Sequence, residues 1–574
     1  MRVHKGKAAL ACATVAAIAI SGCSSSGGGD KGSGGNGKSG GTLIYGESTD
    51  FPENLMPLIA AGNSTATANL EVRMLNGPFQ ITPQFTFQAD PDQVVGNPTS
   101  ELQGGQQVVT YKLNPKAVWD DGTKITADDY IYTWNAEKSS DAKAGGCAAL
   151  LSTTGYDQIE SVTAGSDDHE VVVKYQKGKP FPDWQGLFSP LLSKHVFDQG
   201  DPVKNCKYIT DGWPTAGGLP AGTTNGPWML EKSNINVSGK SFTLTHNPKW
   251  WGTPAKLDKL VDAYVGSDSD TNVKALQNQE VNMVYPQPQL DLIASLQQLS
   301  GVTTEVNFGI AFEHLDFNIK DPLLAHKEVR QAIAYGIDRK ALVDATVGKF
   351  SDKAAVLNNR LLMANQKGYE DHGGDYTSQN VQKAQQLLES IGAKKGSDGY
   401  YSLNGKPLAF KIMTTQNNPL RDQTVQTIAS QLKEVGIKIT EFANPDIFAD
   451  TDKPTSLVSE GFQIALFAWV GGPSISANKS IYLSPAGGGV GQNYTQGGTP
   501  EIDAALNQMG SATNTDDEIA AANKADSLLW DQMYTLPLYQ KPTLLAFDSN
   551  FTGIGDNATQ AGPLWNSDTF AKKS

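Results

Sequence analysis

The order of polar and apolar positions changes period in the middle of the chain. Residues 314–319 alternate between polar and apolar side chains, which is the period of a β-strand. Asp321-Pro322 then acts as a stop signal for that strand. From Lys327 the apolar positions recur at helical spacing, and Asp338 is the expected N-cap of a second helix. We therefore predict a strand, a sharp turn and two short helices at a point where the chain leaves one lobe and builds another.

The C-terminal half continues with strands and helices in alternation. Residues 408–413 are predicted as a strand, and residues 437–440 as the next one. Between them the apolar positions of residues 425–435 line a helix that Gly436 ends. Such a unit is expected to be right-handed with parallel strands. A strongly apolar strand follows at residues 462–469, so the pattern predicts an α/β fold.

The beginning of the chain has the composition of a leader followed by a tether. Basic side chains precede a short apolar run at residues 8–20, which is typical of a signal peptide and too short to span a bilayer as a mature helix. The run ends at a sequence that resembles the bacterial lipobox, so we predict a lipoprotein signal peptide over residues 1–22 and lipidation of Cys23. An ordinary secretory leader with an incidental cysteine is the alternative. Residues 23–41 are rich in Gly and Ser and are predicted to be a flexible tether.

One stretch of the tether matches the phosphate-binding P-loop pattern letter for letter. It is GSGGNGKS at residues 32–39. A P-loop works only between a strand and a helix, whereas this stretch follows the tether and precedes a predicted strand at residues 42–45. We therefore reject a nucleotide site.

Length and charge narrow the class of protein. The chain has 574 residues, with 39% hydrophobic and 18% charged residues, which is an ordinary composition for a soluble globular protein. That length corresponds to roughly three or four lobes or domains. The formal net charge is −14 at pH 7, which argues against nucleic acid or an anionic lipid surface as a partner.

Two cysteines remain beyond the leader and the lipidation site. In an exported domain the natural expectation is a disulfide between Cys147 and Cys206, and two unpaired buried thiols are the alternative. The sequence contains no CxxC pair, so zinc or redox chemistry has no support.

The sequence carries no catalytic signature. The HExxH motif is absent, no GxSxG nucleophile elbow appears, and no cysteine adjoins a histidine. The seven histidines are scattered and are expected at the surface or in the core. We predict no enzymatic activity, no cofactor and no metal site, although a catalytic triad assembled from distant residues would leave no local signature.

Several short motifs stand in one order along the chain. They are TLIYGES at 42–48, DGTKITADD at 121–129, PLLSKHVF at 190–197, NPKWW at 247–251, EVRQAIAYGIDRKAL at 328–342 and LPLY at 536–539. Together they resemble the family 5 extracellular solute-binding proteins, which are the peptide- and nickel-binding lipoproteins of ABC importers. A further segment, ALQNQEVN at 275–282, also resembles the family, but Gln279 and Asn282 stand where the family usually has Gly and Asp.

The resemblance implies a two-lobed periplasmic-binding-protein-like fold of type II, similar to cluster C, with mixed sheets and a hinge. Lobe I would cover residues 42–306 with a subdomain at roughly 80–225, lobe II residues 307–530, and the return to lobe I residues 531–574. In the family the two lobes close on the ligand like jaws. We expect a monomer.

The resemblance also implies a ligand-binding cleft. Extended peptides are held in the family by backbone hydrogen bonds to strands, which makes binding tolerant of peptide sequence. Carried over by position, the ligand-binding residues would be Asn76, Gly77, Trp469, Val470, Gly471, Tyr539 and Gln540. Trp469 ends an apolar strand, so core packing is an alternative role for its ring.

One departure from the family concerns the charge that anchors the ligand. Peptide-binding members usually carry an Asp shortly after this Trp, where it pairs with the ligand's α-amino group, and residues 469–473 contain no acid. A buried ammonium needs a counter-charge, so either another acid serves or the ligand is held differently. Arg360 is a candidate for binding a ligand carboxylate, with a surface position as the alternative.

The predicted function is capture of oligopeptides by a lipid-anchored protein on the extracellular face of the cell membrane, with delivery to an ABC permease. The same role for an oligosaccharide or a chelated metal is the second hypothesis. A surface enzyme or a structural lipoprotein is the third.

Overall fold

The computed structural model describes residues 37–49, 51–266, 268–416, 418–448, 453–488 and 492–574. The predicted signal peptide, Cys23 and most of the predicted tether lie outside the described residues. The strands are, in chain order, Gly37–Lys38 (β1), Thr42–Glu47 (β2), Phe79–Ile81 (β3), Phe87–Ala89 (β4), Thr99–Gln103 (β5), Gln106–Lys112 (β6), Ile159–Ala164 (β7), Glu170–Tyr175 (β8), Trp228–Met229 (β9), Ile235–Asn236 (β10), Ser241–His246 (β11), Lys259–Tyr264 (β12), Met283–Val284 (β13), Val302–Phe317 (β14), Lys394–Lys395 (β15), Tyr401–Leu403 (β16), Lys406–Pro407 (β17), Ala409–Thr415 (β18), Lys438–Asn444 (β19), Ile464–Val470 (β20), Thr535–Asp548 (β21), Phe551–Thr552 (β22) and Ala571–Lys573 (β23).

Helices occur between these strands throughout the chain. They are Thr65–Glu71 (α1), Ala127–Glu137 (α2), Lys194–Phe197 (α3), Pro202–Asp211 (α4), Ser269–Gln277 (α5), Leu290–Gln297 (α6), Lys327–Gly336 (α7), Arg339–Ala345 (α8), Val381–Ser390 (α9), Pro419–Val435 (α10), Lys479–Tyr482 (α11), Pro500–Met509 (α12) and Thr515–Gln532 (α13). None of the helices in the described ranges is long and apolar enough to cross a membrane.

An eleven-stranded mixed sheet organises the fold. Its order is β10-β11-β12-β2-β13-β21-β14-β20-β18-β19, with β9 beside β11. β2 is parallel to both β12 and β13, and β18 is parallel to both β19 and β20. We call β2 and β9–β13 the first half of the sheet, and β18–β20 the second half. The long strands β14 and β21 lie between the halves and pair antiparallel with each other.

The ladder between β14 and β21 is interrupted near its middle. Residues 302–308 of β14 pair with residues 542–548 of β21, and residues 312–316 pair with residues 535–540. Between these two stretches, residues 309–311 lie opposite Lys541 alone. Extra residues on one strand disrupt pairing locally and bend the ladder. The two halves of the sheet therefore meet at a natural point of bending.

The second half of the sheet contains the strands, helix and helix ends that the sequence pattern predicts. The predicted strand–helix–strand unit is formed by β18, α10 and β19, with the two strands parallel as expected. α10 ends at Gly436, whose φ of 103° places it in the left-handed region that glycine adopts at little cost. Asp338 caps α8, since its Oδ1 accepts a hydrogen bond of 2.8 Å from the backbone N–H of Ala341. These predictions are confirmed.

The core consists of several clusters of buried apolar side chains. One packs α7, α9 and α10 against the second half of the sheet and extends along β14 and β21. Another lies against the first half and includes Leu43, Trp228 and Leu257. A third is confined to residues 79–191 and includes the four-stranded sheet β5-β6-β8-β7 with α2. The region of the predicted subdomain therefore has a core of its own.

A disulfide bond joins Cys147 to Cys206 across a sequence separation of 59 residues. Closing a loop of that length restricts the unfolded chain, which stabilises the folded state by roughly 4 kcal/mol in the chain-entropy description. The bond ties α4 to the segment after α2, on the side of the first half of the sheet.

Candidate functional site

Two cavities lie at the interruption of the β14–β21 ladder, and a third adjoins one of them. The central cavity has a volume of about 490 Å³, and its lining includes the end of β2, residues 285–288, both crossing strands and Val470. A side pocket of about 360 Å³ shares Asn63, Ala68 and Gln560 with it. An outer cavity of about 600 Å³ shares Ala558. The three cavities thus adjoin one another near the place where the two halves of the sheet meet, and we refer to them together as the groove.

The carboxyl end of β2 forms one wall of the central cavity. β2 lies between two parallel neighbours, and ligands of α/β sheets commonly bind beyond the carboxyl ends of such strands. Glu47 is buried there, and its carboxylate accepts hydrogen bonds from the N–H of Thr49 at 2.8 Å and from Asn69 Nδ2 at 3.0 Å. These bonds hold the turn after β2 and give the buried carboxyl group of Glu47 hydrogen-bond partners.

The opposite wall comes from the interrupted strand β14 and the end of β20. The carbonyl of Gly309 accepts a hydrogen bond of 2.7 Å from Gln540 Nε2, and the carbonyl of Ile310 accepts one of 2.9 Å from the N–H of Gly471. Val470 is 66% exposed although it ends an apolar strand. An exposed apolar side chain on a cavity wall is available for contact with a ligand.

Lys541 brings a positive charge to the central cavity. It lies opposite the three bulged residues of β14 and is half-buried. Burial and the charge of Arg421 lower its pKa, and Glu313 acts in the opposite direction. Its ammonium group makes no hydrogen bond or ion pair with any other described residue. Lys541 can therefore accept an anionic group from a ligand.

The side pocket contains two buried polar side chains without partners. Glu71, at the end of α1, is 3% exposed, and neither of its carboxyl oxygens has a hydrogen-bond partner among the described residues. Burial raises its pKa well above the usual value for a glutamate. The Nδ2 atom of Asn76 is likewise buried and unpartnered within the described part of the chain. This pocket therefore offers hydrogen-bonding capacity that the protein itself does not use.

Four of the residues predicted from the sequence line this groove. Asn76 and Gly77 line the side pocket, Val470 the central cavity and Gln540 the outer cavity. A Cβ at Gly77 would lie 2.7 Å from the carbonyl oxygen of Phe188, so only glycine fits the close approach of these two segments. Their role as ligand contacts stays a prediction.

Trp469 and Gly471 lie beside the groove. The indole ring is half-buried between two parallel rings, 5.7 Å from Tyr494 and 6.0 Å from His314 between centroids. Its Nε1 is buried and has no partner among the described residues. The ring packs against two core clusters, and a role of Trp469 in ligand binding stays a prediction.

Arg360 is not available to a ligand, which corrects the prediction. Its side chain is fully buried, and its guanidinium donates to Asp526 Oδ1 at 3.1 Å and to the carbonyl of Thr535 at 2.6 Å and 3.0 Å. The group also stacks on Trp530 at 4.3 Å from the ring centroid. These contacts occupy the guanidinium in the core.

Tyr539 is also misplaced by the prediction. Its side chain is 1% exposed and belongs to the core beneath the second half of the sheet. Successive side chains of a strand point to opposite faces, so two neighbours such as Tyr539 and Gln540 do not reach the same cavity. Gln540 faces the groove, and Tyr539 faces the core.

Sequence reasoning missed Glu47, Glu71 and Lys541. Lys541 is a charge between two apolar runs and so carried a usable signal, whereas the parallel neighbours of the strand that Glu47 ends are visible only in the structure. Glu71 carried none, because a glutamate near the end of a short helix is ordinarily exposed. One group in the described residues has the spacing of a metal site, namely Asp167, Asp168 and His169 within 4.8 Å, and it lies at a turn outside the three cavities.

Comparison with known proteins identifies the architecture. The sequence profile of the bacterial extracellular solute-binding proteins, family 5 Middle, matches residues 99–491. Oligopeptide-binding protein OppA of Mycobacterium tuberculosis is 28% identical over 521 residues, which cover 88% of this chain and 81% of that protein. A lipoprotein of the same organism is 24% identical over 546 residues, covering 89% of each chain.

A solved structure extends the likeness to the fold. The periplasmic EDTA-binding protein EppA superimposes with a TM-score of 0.83 at 25% identity, covering 94% of this chain and 98% of that one. The predicted fold class, a periplasmic-binding-protein fold with mixed sheets, is confirmed by this match.

Proposed function

Since the chain belongs to family 5 of the bacterial extracellular solute-binding proteins, the binding components of ABC importers, we propose that it captures oligopeptides in the groove and delivers them to an ABC permease. The observation that carries the proposal is the central cavity at the interrupted β14–β21 ladder. It combines backbone outside the strand ladder at residues 309–311, an apolar side chain at Val470 and the cationic Lys541. These features suit an extended chain with a carboxylate, and the likeness to OppA supports that class of ligand.

Delivery requires a change of shape that the permease can detect. We infer that the halves of the sheet belong to two lobes, which bend about the interruption at residues 309–311 and close on the ligand. A ligand that contacts both lobes stabilises the closed form, because it binds that form more tightly. Anchoring through a lipid on Cys23 would keep the protein at the extracellular face of the membrane, as the lipoprotein relative supports. The role is binding and transfer rather than catalysis.

Native mass spectrometry of protein purified without refolding tests the ligand class. We expect adducts that disappear on denaturation and whose masses match short peptides. Peptides recovered from the denatured sample should then rebind to ligand-free protein and raise its melting temperature. Protein that carries no adduct and is not stabilised by a mixed peptide library would contradict the proposal.

A carboxylate-rich metal chelate is a second candidate ligand. Lys541 favours it, because an ammonium without a protein partner suits an anionic chelate, and the EDTA-binding relative has the same fold. Titration with Fe(III)-EDTA, followed by thermal shift, should stabilise the wild type and leave Lys541→Met unchanged. A melting temperature that does not respond in the wild type would exclude this class.

A further inference from the structure

We propose that Glu71 in the side pocket binds a primary ammonium group of the ligand, while Asn76 Nδ2 donates a hydrogen bond to an oxygen of the same ligand. The inference rests on the proposed function, because it names the charged group by which a peptide in the groove is held. It assigns a binding role to a residue that the sequence did not single out.

Glu71 and Asn76 both have polar atoms without a partner among the described residues. Glu71 is 3% exposed and Asn76 is 5% exposed, and both line the side pocket. Neither carboxyl oxygen of Glu71 nor Nδ2 of Asn76 has a hydrogen-bond partner in the described ranges. A buried polar group without a partner costs about 1–3 kcal/mol. Two such groups in one pocket are expected where a ligand completes the hydrogen bonding.

The charges that line the side pocket favour a cationic group of the ligand. The charged residues among those that line it are Glu71 and Arg73. Arg73 is already engaged, with its Nε 2.9 Å from Asp568 and its Nη1 3.7 Å from Asp90. Burial raises the pKa of Glu71, and its carboxyl oxygens have no partner in the part of the chain that the structure describes. An incoming cation therefore meets an acid for which nothing in the pocket competes.

The walls of the side pocket are largely apolar. Val72, Phe79 and Trp565 contribute apolar surface to the pocket. Such walls suit a cation on an apolar stem rather than a hydrated ion. The side pocket shares Asn63, Ala68 and Gln560 with the central cavity, so a peptide there can extend an amine into it. The amine is either the free N-terminus or a lysine side chain.

Binding of an ammonium to Glu71 has a further consequence. Burial raises the pKa of the carboxyl, which favours its protonated form in the free protein. A bound ammonium stabilises the carboxylate and lowers that pKa, and the proton is released to solvent. Uptake of a cationic ligand is therefore coupled to loss of a proton.

Four matched peptides test the proposal by calorimetry. They are penta-alanine with a free N-terminus, the same peptide N-acetylated, and two N-acetylated variants with either lysine or norleucine at the third position. We expect wild-type protein to bind at least one amine-bearing peptide about tenfold or more tightly than its amine-free counterpart. The first pair tests the N-terminal source of the amine, and the second pair tests the side-chain source.

Two variants separate a binding role from a structural one. Glu71→Gln should remove the preference for the amine and also the proton release, which is measured as a dependence of the binding enthalpy on the ionisation enthalpy of the buffer. Glu137→Gln is the matched control, because Glu137 is buried, has a pKa raised by burial to about 8 and lines none of the three cavities. The control should keep both properties.

The outcomes separate this proposal from the proposed function. Peptides that bind with no preference for an amine, or a Glu71→Gln variant that keeps the preference, would overturn the role of Glu71 and leave peptide capture intact. If no peptide binds, n-pentylamine and n-pentanol are compared in the same assay. Selective binding of the amine by wild type but not by Glu71→Gln would support the pocket and overturn peptide capture. No selectivity for the amine would overturn both.

Discussion

Asp526 and Glu71 are both buried acids, and the protein treats them differently. In the region behind the second half of the sheet, Asp526 Oδ1 lies 3.1 Å from Arg360 Nη1, and its Oδ2 lies 2.8 Å from His372 Nδ1. In the side pocket, Glu71 has no cation and no hydrogen-bond donor among the described residues. The chain thus neutralises one buried acid completely and leaves the other to acquire its partner from outside.

The difference matches what each region does. The Arg360–Asp526 pair holds the loop that carries Arg360 against α13 and the start of β21. The pair of Arg421 with Glu313 likewise holds α10 against β14, near the interrupted ladder. Arg421 Nε and Nη2 lie 3.0 Å and 2.8 Å from the two carboxylate oxygens of Glu313. Buried pairs of this geometry fix the position of the segments that carry them. A pocket that must accept and release a ligand cannot be closed internally in this way.

Breaking the internal pair is expected to have the largest effect on stability. Arg360→Met keeps much of the apolar stem but leaves Asp526 without its guanidinium partner. Removing one partner of a buried pair costs about 3–5 kcal/mol, because the other charge stays buried. Urea denaturation followed by circular dichroism measures the free energy of unfolding.

If Arg360→Met lowered the free energy of unfolding by less than about 1 kcal/mol, the contrast between Asp526 and Glu71 would not hold. The double variant Arg360→Met/Asp526→Leu supplies the control. It removes both charges and should recover part of the loss, as buried pairs replaced by apolar residues often do.

Removing the unpaired acid is expected to act in the opposite direction. Glu71→Leu eliminates a buried carboxyl without a partner and should stabilise the ligand-free protein by about 1–2 kcal/mol. The folded-state pKa of Glu71 is raised, so the folded state loses stability relative to the unfolded chain as pH rises from the unfolded-state pKa through the folded-state pKa. The advantage of Glu71→Leu should therefore grow with increasing pH.

Thermal melting of both proteins from pH 5 to pH 9 checks the sign. A difference in melting temperature that shrinks as pH rises would mean that the carboxylate is stabilised in the fold, and the contrast with Asp526 would then disappear.

The sequence predicted the fold better than it predicted the site. Periodicity placed the β18–α10–β19 unit and the caps of its neighbours, because those features depend on residues close together in the chain. The site depends on which side chain of a strand faces which side. The LPLY motif located β21 correctly, but alternation along the strand decides that Gln540 rather than Tyr539 reaches the groove.

Burial is the property that local sequence reveals least. Arg360 was a reasonable candidate for a ligand carboxylate, and its partner Asp526 lies 166 residues further along the chain. Glu71 resembles any glutamate at a helix end until the packing of residues 57–81, 189–190 and 560–565 encloses it. Such contacts arise from the tertiary fold, which periodicity does not specify.

The smallest effect is expected where a pair is exposed, and it isolates burial as the cause of the others. Lys367 Nζ lies 3.0 Å from Asp516 Oδ1, but the two side chains are 77% and 83% exposed. Water solvates either charge when its partner is removed, so Lys367→Met should change the free energy of unfolding by about 0.5 kcal/mol or less. The same urea titration as for Arg360→Met measures this change. The two variants are matched, because in each of them one acid loses one cationic partner. An effect of Lys367→Met as large as that of Arg360→Met would show that pairing alone sets the stability. The unpartnered Glu71 would then need an explanation other than the pocket that encloses it.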